Sequence, residues 1–250
     1  MMPEYSMKII SLNIWGGKVY EPLFDFITHY NSEIDVFCFQ EMYKGGQSFR
    51  PHLKNMHMNI FVDIQNILKD YQGFFSETQT HEEGLGLFVK DSIKIESFQE
   101  RFVFRSRNAM VNLDARTLGR LIQIVKFSQD NKDFSIINFH GLWNGMGKTD
   151  TSERLKQSNN IKKSLNKLTG NKILCGDFNL LPNTESLSII KNDMRNLITE
   201  YKITSTRSGL YKKHERFADY ILVSENVKVK DFKVLQDEVS DHLPLYLEFS

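Results

Sequence analysis

Residues 150–179, DTSERLKQSNNIKKSLNKLTGNKILCGDFN, carry a complete helix-to-strand unit. Asp150-Thr151-Ser152-Glu153 has the polar start of a capping box. Ile161, Leu165 and Leu168 then recur on one face, and Gly170 stops a helix over 150–168. Residues 172–175 are a short apolar strand that runs into Gly176-Asp177-Phe178-Asn179. The same scheme extends in both directions. Upstream, 8–13 reads as a buried strand stopped by Trp15-Gly16-Gly17 and 21–31 as a helix through Leu23, Phe26, Ile27 and Tyr30. Residues 35–40 are a second strand and 59–71 a second helix through Ile60, Ile64, Ile67 and Leu68. Downstream come a helix over 184–191 and strands over 217–223, 227–235 and 245–249. Between Gly73 and Phe139 the runs 85–89, 93–104, 110–115, 121–127 and 134–139 follow one another without helices, as antiparallel neighbours do. Helices alternating with strands in both halves predict an α/β fold, a four-layer α/β/β/α sandwich of two stacked mixed β-sheets. No repeat or Pro/Gly/Ser linker interrupts it, so residues 1–250 are expected to form a single domain.

Composition narrows the class. Nineteen Phe, nine Tyr and 25% charged residues exclude a disordered chain, and five Pro with 14 Gly exclude collagen-like or low-complexity material. Thirty-two Lys+Arg against 31 Asp+Glu leave a net charge of +1, so any nucleic-acid contact must come from a local patch. Cys38 and Cys175 both sit in apolar runs with no C-x-x-C spacing, and are expected to be buried free thiols. Residues 1–8 lack the apolar stretch of a signal peptide, and no run approaches the ~20 residues of a membrane span. The expectation is a cytoplasmic monomer.

Acidic and amide residues mark the ends of the apolar runs. Asn13, Gln40-Glu41, Asp177-Phe178-Asn179 and Asp241-His242 lie at or just beyond such ends, while Asp219 falls within the run 217–223. In stacked sheets these ends converge on one rim. A Glu, one or two Asp and an Asn make a hard-oxygen set for Mg²⁺ or Mn²⁺, without the Cys and multiple His of a structural zinc site. Singly, some have simpler meanings: Asn13 suits a strand-end turn, and Asp241-His242 before Leu243-Pro244 suits another. Asp219 is harder to dismiss, since a buried carboxylate needs a partner.

The ordered series Ser-Leu-Asn13, Phe-Gln-Glu41, Asn-Phe-His140, Gly-Asp177-Phe-Asn179, Ala-Asp219-Tyr-Ile and Ser-Asp241-His242 resembles the endonuclease/exonuclease/phosphatase superfamily, from residue 8 to 249. The resemblance implies a metal-dependent phosphoesterase with Glu41 as principal metal ligand, Asn13 beside it and Asp241 completing or bordering the site. It implies that Asp177 orients and deprotonates water, that Asn179 holds the phosphate or that water, and that His140 and His242 flank the scissile phosphate. Asp219 would orient one imidazole. Glu83 fits the place where the family often carries a Glu before a strand, with Glu82 adjacent.

Three further groups are candidates for substrate. Arg116 and Arg120 precede a strand leading to the same rim, where the family often places an Arg near phosphate; a surface salt bridge is the alternative. Trp143, in the glycine-rich run 141–148, could stack a base or sugar, or simply pack. Arg207, Lys212, Lys213 and Arg216 in the run 206–216 suit a phosphate-backbone patch or a solvated loop. Histidines 29, 52, 57, 81 and 214 lack any motif context and are expected at the surface. A His at 140 departs from the tyrosine-bearing motif of abasic endonucleases. The leading expectation is a Mg²⁺-dependent phosphodiesterase acting on nucleic acid. The alternatives are a phosphoesterase for a small or lipid-linked phosphate and a pseudoenzyme that binds a phosphorylated partner.

Overall fold

The computed structural model describes residues 6–45, 55–78, 83–107, 119–191 and 193–250. They form two six-stranded mixed sheets. The first has β1 (Met7–Asn13), β2 (Val36–Met42), β3 (Tyr71–Glu77), β4 (Gly84–Lys90), β11 (Val229–Val234) and β12 (Leu245–Phe249), in the order β11-β12-β1-β2-β4-β3. The second has β5 (Ile95–Phe104), β6 (Arg120–Gln129), β7 (Lys132–His140), β8 (Asn171–Asp177), β9 (Met194–Asn196) and β10 (Asp219–Ser224), in the order β5-β6-β7-β8-β10-β9. Each sheet has one parallel pair, β1–β2 and β7–β8, closed by the crossover helices α1 (Tyr20–Tyr30) and α3 (Ser152–Leu165). The remaining helices are α2 (Ile60–Ile67), α4 (Glu185–Lys191) and α5 (Leu197–Glu200).

Side-chain alternation sorts the layers. Along β1, Met7 and Ile9 join the core between the sheets, whereas Ile10 and Leu12 join the core under α1 and α2 with Phe37, Phe39 and Phe88. Ile161 and Leu165 of α3 and Leu187 and Ile190 of α4 cover the second sheet. This is the four-layer sandwich expected, with both cysteines buried as free thiols. Thr151, rather than Asp150, caps α3 by accepting from Arg154 N; Asp150 instead accepts from Glu185 N and Ser186 N at the start of α4.

Several boundaries differ from the sequence reading. The helix expected over 59–71 ends at Ile67, where Gln65 turns its amide onto Leu68 O and Tyr71 O, and Tyr71 opens β3. The strand expected from 217 begins at Asp219, which therefore sits at a strand start rather than inside one. β3, β9 and α5 were not anticipated, and the strand expected over 110–115 lies outside the described residues.

The sheets are joined beneath one rim by buried amides. Gln40 donates to Asn138 Oδ1 at 2.7 Å, and Asn138 donates to Phe39 O, Gly86 O and Gln123 Oε1 at 3.0–3.1 Å. Gln123 continues to Phe74 O, Ser76 Oγ and Leu85 O. Asn138→Leu would strip partners from several buried groups at once, at about 1–3 kcal/mol for each group left unsatisfied. We expect a loss of about 2–4 kcal/mol, which lowers the melting temperature by roughly 5–15 °C for a chain of this size. A shift below about 2 °C in thermal denaturation would show that the network is dispensable.

Candidate active site

Strand direction places the site. β1, β2, β7 and β8 end at one rim, where Asn13 pairs in register with Gln40 and His140 with Asp177. β4, β6 and β10 begin there, so Glu83, Arg120 and Asp219 enter the same rim from the opposite direction, with Asp219 paired to Asp177. Asp241 and His242 precede β12, held by an antiparallel bridge between Arg207 and His242. Close approach is needed between the ends of β7 and β8. A Cβ on Gly176, at φ 141°, would meet Phe139 O at 1.9 Å, and one on Gly141 would meet Phe178 O at 2.1 Å. Glu41 occupies a bulge between Gln40 and Met42 with φ 57°. Trp15 and Asn179 also have positive φ, at 51° and 53°, and all three line a cleft of about 470 Å³.

Asn13 ties the two sheets at the floor of the cleft. Its Nδ2 donates to Glu41 Oε1 at 3.0 Å and to Asp177 Oδ2 at 3.1 Å, while its Oδ1 accepts from Trp15 N. Asp177 Oδ1 accepts from Asn179 N at 2.8 Å in a local turn. Both imidazoles face Asp177: His140 Nε2 is 3.7 Å and His242 Nε2 3.6 Å from its Oδ2. On the far side of its ring, His242 Nδ1 lies 2.7 Å from Asp219 Oδ1, and Asp219 Oδ2 accepts from Thr206 Oγ1 at 2.8 Å. His140 Nδ1 is 3.7 Å from Glu83 Oε1, and Glu83 is ion-paired with Arg120.

The two imidazoles are tuned apart. For His140, burial and the nearby Arg120 lower the pKa to about 4, against the pull of Glu83, so this ring is neutral. For His242, burial works against the charged form but Asp219 outweighs it, and the pKa is raised. Burial would raise Asp177, yet His242, Lys148 and His140 hold it well below the usual carboxylate range. Glu41 goes the other way: burial and the neighbouring Glu83 raise it to about 7, with Asn13 opposing. Glu83 itself is partly buried, which would raise it, but Arg120 and His140 keep it below its ordinary value.

These facts bear on a metal. Glu41, Glu83 and His140 present ligand atoms within 4.8 Å of one another, as do Asp177, Asp219 and His242. Asp241 Oδ1 is buried without a hydrogen-bond partner, and Glu41 is held toward protonation by the carboxylates around it. A lone carboxylate oxygen and an over-crowded carboxylate of this kind fit a hard divalent cation.

Of the residues singled out from sequence, Asn13, Glu41, Glu83, Arg120, His140, Asp177, Asn179, Asp219, Asp241 and His242 meet at this rim. Arg120 is buried and engaged by Glu83, not exposed in a surface salt bridge. Trp143 stands at the mouth, 42% exposed, with Lys213 Nζ 6.0 Å from its ring centre. Arg116 lies outside the described residues, as do His52 and His81; His29, His57 and His214 are exposed. Within the basic run, Lys212, Lys213 and Arg216 are exposed but Arg207 is buried in the cleft wall. Sequence reasoning passed over Lys148, a buried lysine whose Nζ donates to Asn179 Oδ1 at 2.9 Å. Its only signal was its place at the end of the glycine-rich run.

Residues 10–242 match the Endonuclease/Exonuclease/phosphatase family. A DNA-(apurinic or apyrimidinic site) endonuclease of Plasmodium berghei (strain Anka) is 24% identical over 221 residues, covering 74% of this chain and 38% of that protein. An endonuclease/exonuclease/phosphatase family protein from Bacteroides thetaiotaomicron superposes with a TM-score of 0.74 at 18% identity, covering 98% of this chain and 95% of that one. A mannosyl-6-phosphatase of Bacteroides thetaiotaomicron VPI-5482 does so with a TM-score of 0.74 at 16% identity, covering 98% and 99%.

The Asp219–His242 pair gives a pH signature in the metal-free protein. A His raised by folding stabilises the fold fully below its unfolded pKa of about 6.5, and that contribution is lost as pH rises through the folded value. The stability difference between the wild type and Asp219→Asn should therefore be widest near pH 5.5–6.5 and narrow above the folded pKa of His242. Urea unfolding across pH 5.5–9 measures it; a gap that widens with pH would contradict the pairing.

Proposed function

Because the chain belongs to the endonuclease/exonuclease/phosphatase family, a family of phosphoester hydrolases, we propose that residues 1–250 act as one domain that hydrolyses phosphodiester bonds in nucleic acid with Mg²⁺ or Mn²⁺. The observation that carries this reading is the meeting of Glu41, Asp177, His140 and His242 around one polar cleft. Glu41, Asn13 and Asp241 would hold the cation. When bound, it would supply charge neutralisation on the non-bridging phosphate oxygens. Asp177, fixed by Asn13 Nδ2 and Asn179 N, orients the attacking water and receives its proton as oxygen bonds to phosphorus. His242, whose charged form Asp219 favours, gives its proton to the leaving oxygen as the phosphorus–oxygen bond breaks. Neutral His140 and Asn179 Nδ2 contact the phosphate from the β7 side.

Nucleic acid is favoured over a small phosphate by the mouth of the cleft. Exposed Trp143 offers a face for a base, and Lys212, Lys213 and Arg216 are exposed on the segment that borders it. The Plasmodium relative is named for action on DNA, although His140 departs from the tyrosine motif of abasic endonucleases. A second reading, phosphate removal from a small sugar phosphate, draws on the Bacteroides phosphatase of the same fold.

EDTA should abolish activity and Mg²⁺ or Mn²⁺ restore it, with Glu41→Ala folded but inactive at ordinary metal concentrations; full turnover in excess chelator would refute this. His140→Ala and His242→Ala should each lower kcat at least ~10²-fold, whereas exposed His29→Ala should not. Neutralising Lys212, Lys213 and Arg216 together should flatten the dependence of log K on log[salt] by roughly 2–3 on a polynucleotide, at about 0.7–0.9 per phosphate contact. The same change should spare kcat on a nitrophenyl phosphodiester. An unchanged slope, with Trp143→Ala also silent, would move the assignment to the small-phosphate reading.

A further inference from the structure

Arg207 and Lys148 are two buried cations that the family motifs leave unexplained. The Arg207 side chain is 3% exposed, and its Nε is buried with no hydrogen-bond partner. Its guanidinium lies 4.1 Å over the Tyr211 ring, which fixes its plane, and Nη1 reaches Asp241 Oδ2 only at 3.5 Å. A guanidinium carries five donors in a rigid fork, so most of this one is unspent. Lys148, 5% exposed, donates to the neutral amide oxygen of Asn179. Both residues line the cleft, together with Asp177 and His242. Burial and the proximity of Arg207 disfavour the charged form of Lys148, against the attraction of Asp177, Asp219 and Glu215.

We propose that Arg207 and Lys148 form a phosphate-binding pair on the loop wall of the cleft, between the β7–α3 connection and segment 205–216. The inference rests on the phosphoester reading and extends it, because it supplies the anion contact that the exposed basic run was expected to make. The chemistry selects the ligand. A guanidinium held by a single 3.5 Å contact has N–H groups left to match the oxygens of a tetrahedral phosphate, and the lysine adds a compact point charge with two donors to spare. Arg207 also fixes the bridge to His242, so a phosphate held there is held beside the imidazole that protonates the leaving oxygen.

The test is a titration of inorganic phosphate into the Mg²⁺-loaded protein, followed by calorimetry or ³¹P NMR. Arg207→Gln and Lys148→Gln should each weaken phosphate at least tenfold, and Arg207→Lys should fall between, keeping the charge but losing the fork. Lys163→Gln, on the exposed face of α3, should stay within twofold. Thermal melts establish that each variant is folded. Where a Gln variant does not fold, a crystal of the wild type grown with phosphate replaces it, and the anion should lie within hydrogen-bond distance of Arg207 and Lys148. Unchanged phosphate affinity in folded variants, or an anion seated away from both residues, overturns the pair. Loss of phosphate binding in a protein that cleaves no polynucleotide leaves the pair standing and overturns the nucleic-acid reading instead.

Discussion

Everything at the rim depends on the contact between Gln40 and Asn138. Two apolar sheet faces packed together have no strong preference for one relative position, because dispersion and apolar burial are non-directional. A buried amide network is directional, and misplacing it leaves several polar groups without partners. Gln40 immediately precedes Glu41, and Asn138 lies two residues before His140 on the same strand. The hydrogen bond that joins the sheets therefore also sets the distance from the carboxylate of one sheet to the imidazole of the other. Asn13, bridging Glu41 and Asp177 one layer above, repeats the device at the floor of the cleft.

The site's electrostatics follow from crossing the sheets in this way. Each sheet alone would carry a small surplus of acid at its strand ends. Brought together, the acids separate into two kinds. Those whose cationic or imidazole neighbours outweigh burial, Asp177 and Glu83, stay below the usual range, while for Glu41 burial and the neighbouring Glu83 outweigh the amide of Asn13 and drive it up to about 7. The histidines separate in the same sense: burial and Arg120 lower His140, whereas Asp219 outweighs burial and raises His242. Proton-holding and proton-free groups are thus fixed by neighbours that belong to different strands.

What the sequence disclosed, and what it hid, divides along the same line. Asn13, Glu41, Asp177 and Asp241 were visible because a polar residue directly after an apolar run stands out in any strand reading, and strand ends share a rim. The helices α1, α3 and α4 were visible through periodicity. The end of α2 was hidden because Tyr71 continues the apolar spacing while Gln65 folds back to close the turn. Lys148 was passed over, and Arg207 was read as part of an exposed patch rather than of the cleft wall, for a different reason. A lysine in a glycine-rich run and an arginine in a basic run carry the composition of solvated loops, and only tertiary packing buries them. Asp150 looked like the start of its own helix, but the groups it satisfies belong to α4, 35 and 36 residues away.

The bulge at Glu41 carries an evolutionary consequence. A non-glycine residue with φ 57° is held against its own backbone preference, at a cost of order 1–3 kcal/mol that the surrounding sheet must absorb. Glycine at that position would relieve the strain and remove a crowded carboxylate together. Trp15 and Asn179 stand in the same relation to their own loops, although asparagine tolerates this conformation better. Selection for folding alone would favour glycine at such positions, and the scaffold left behind would be sturdier than its ancestor but without the carboxylate that its cleft is built around.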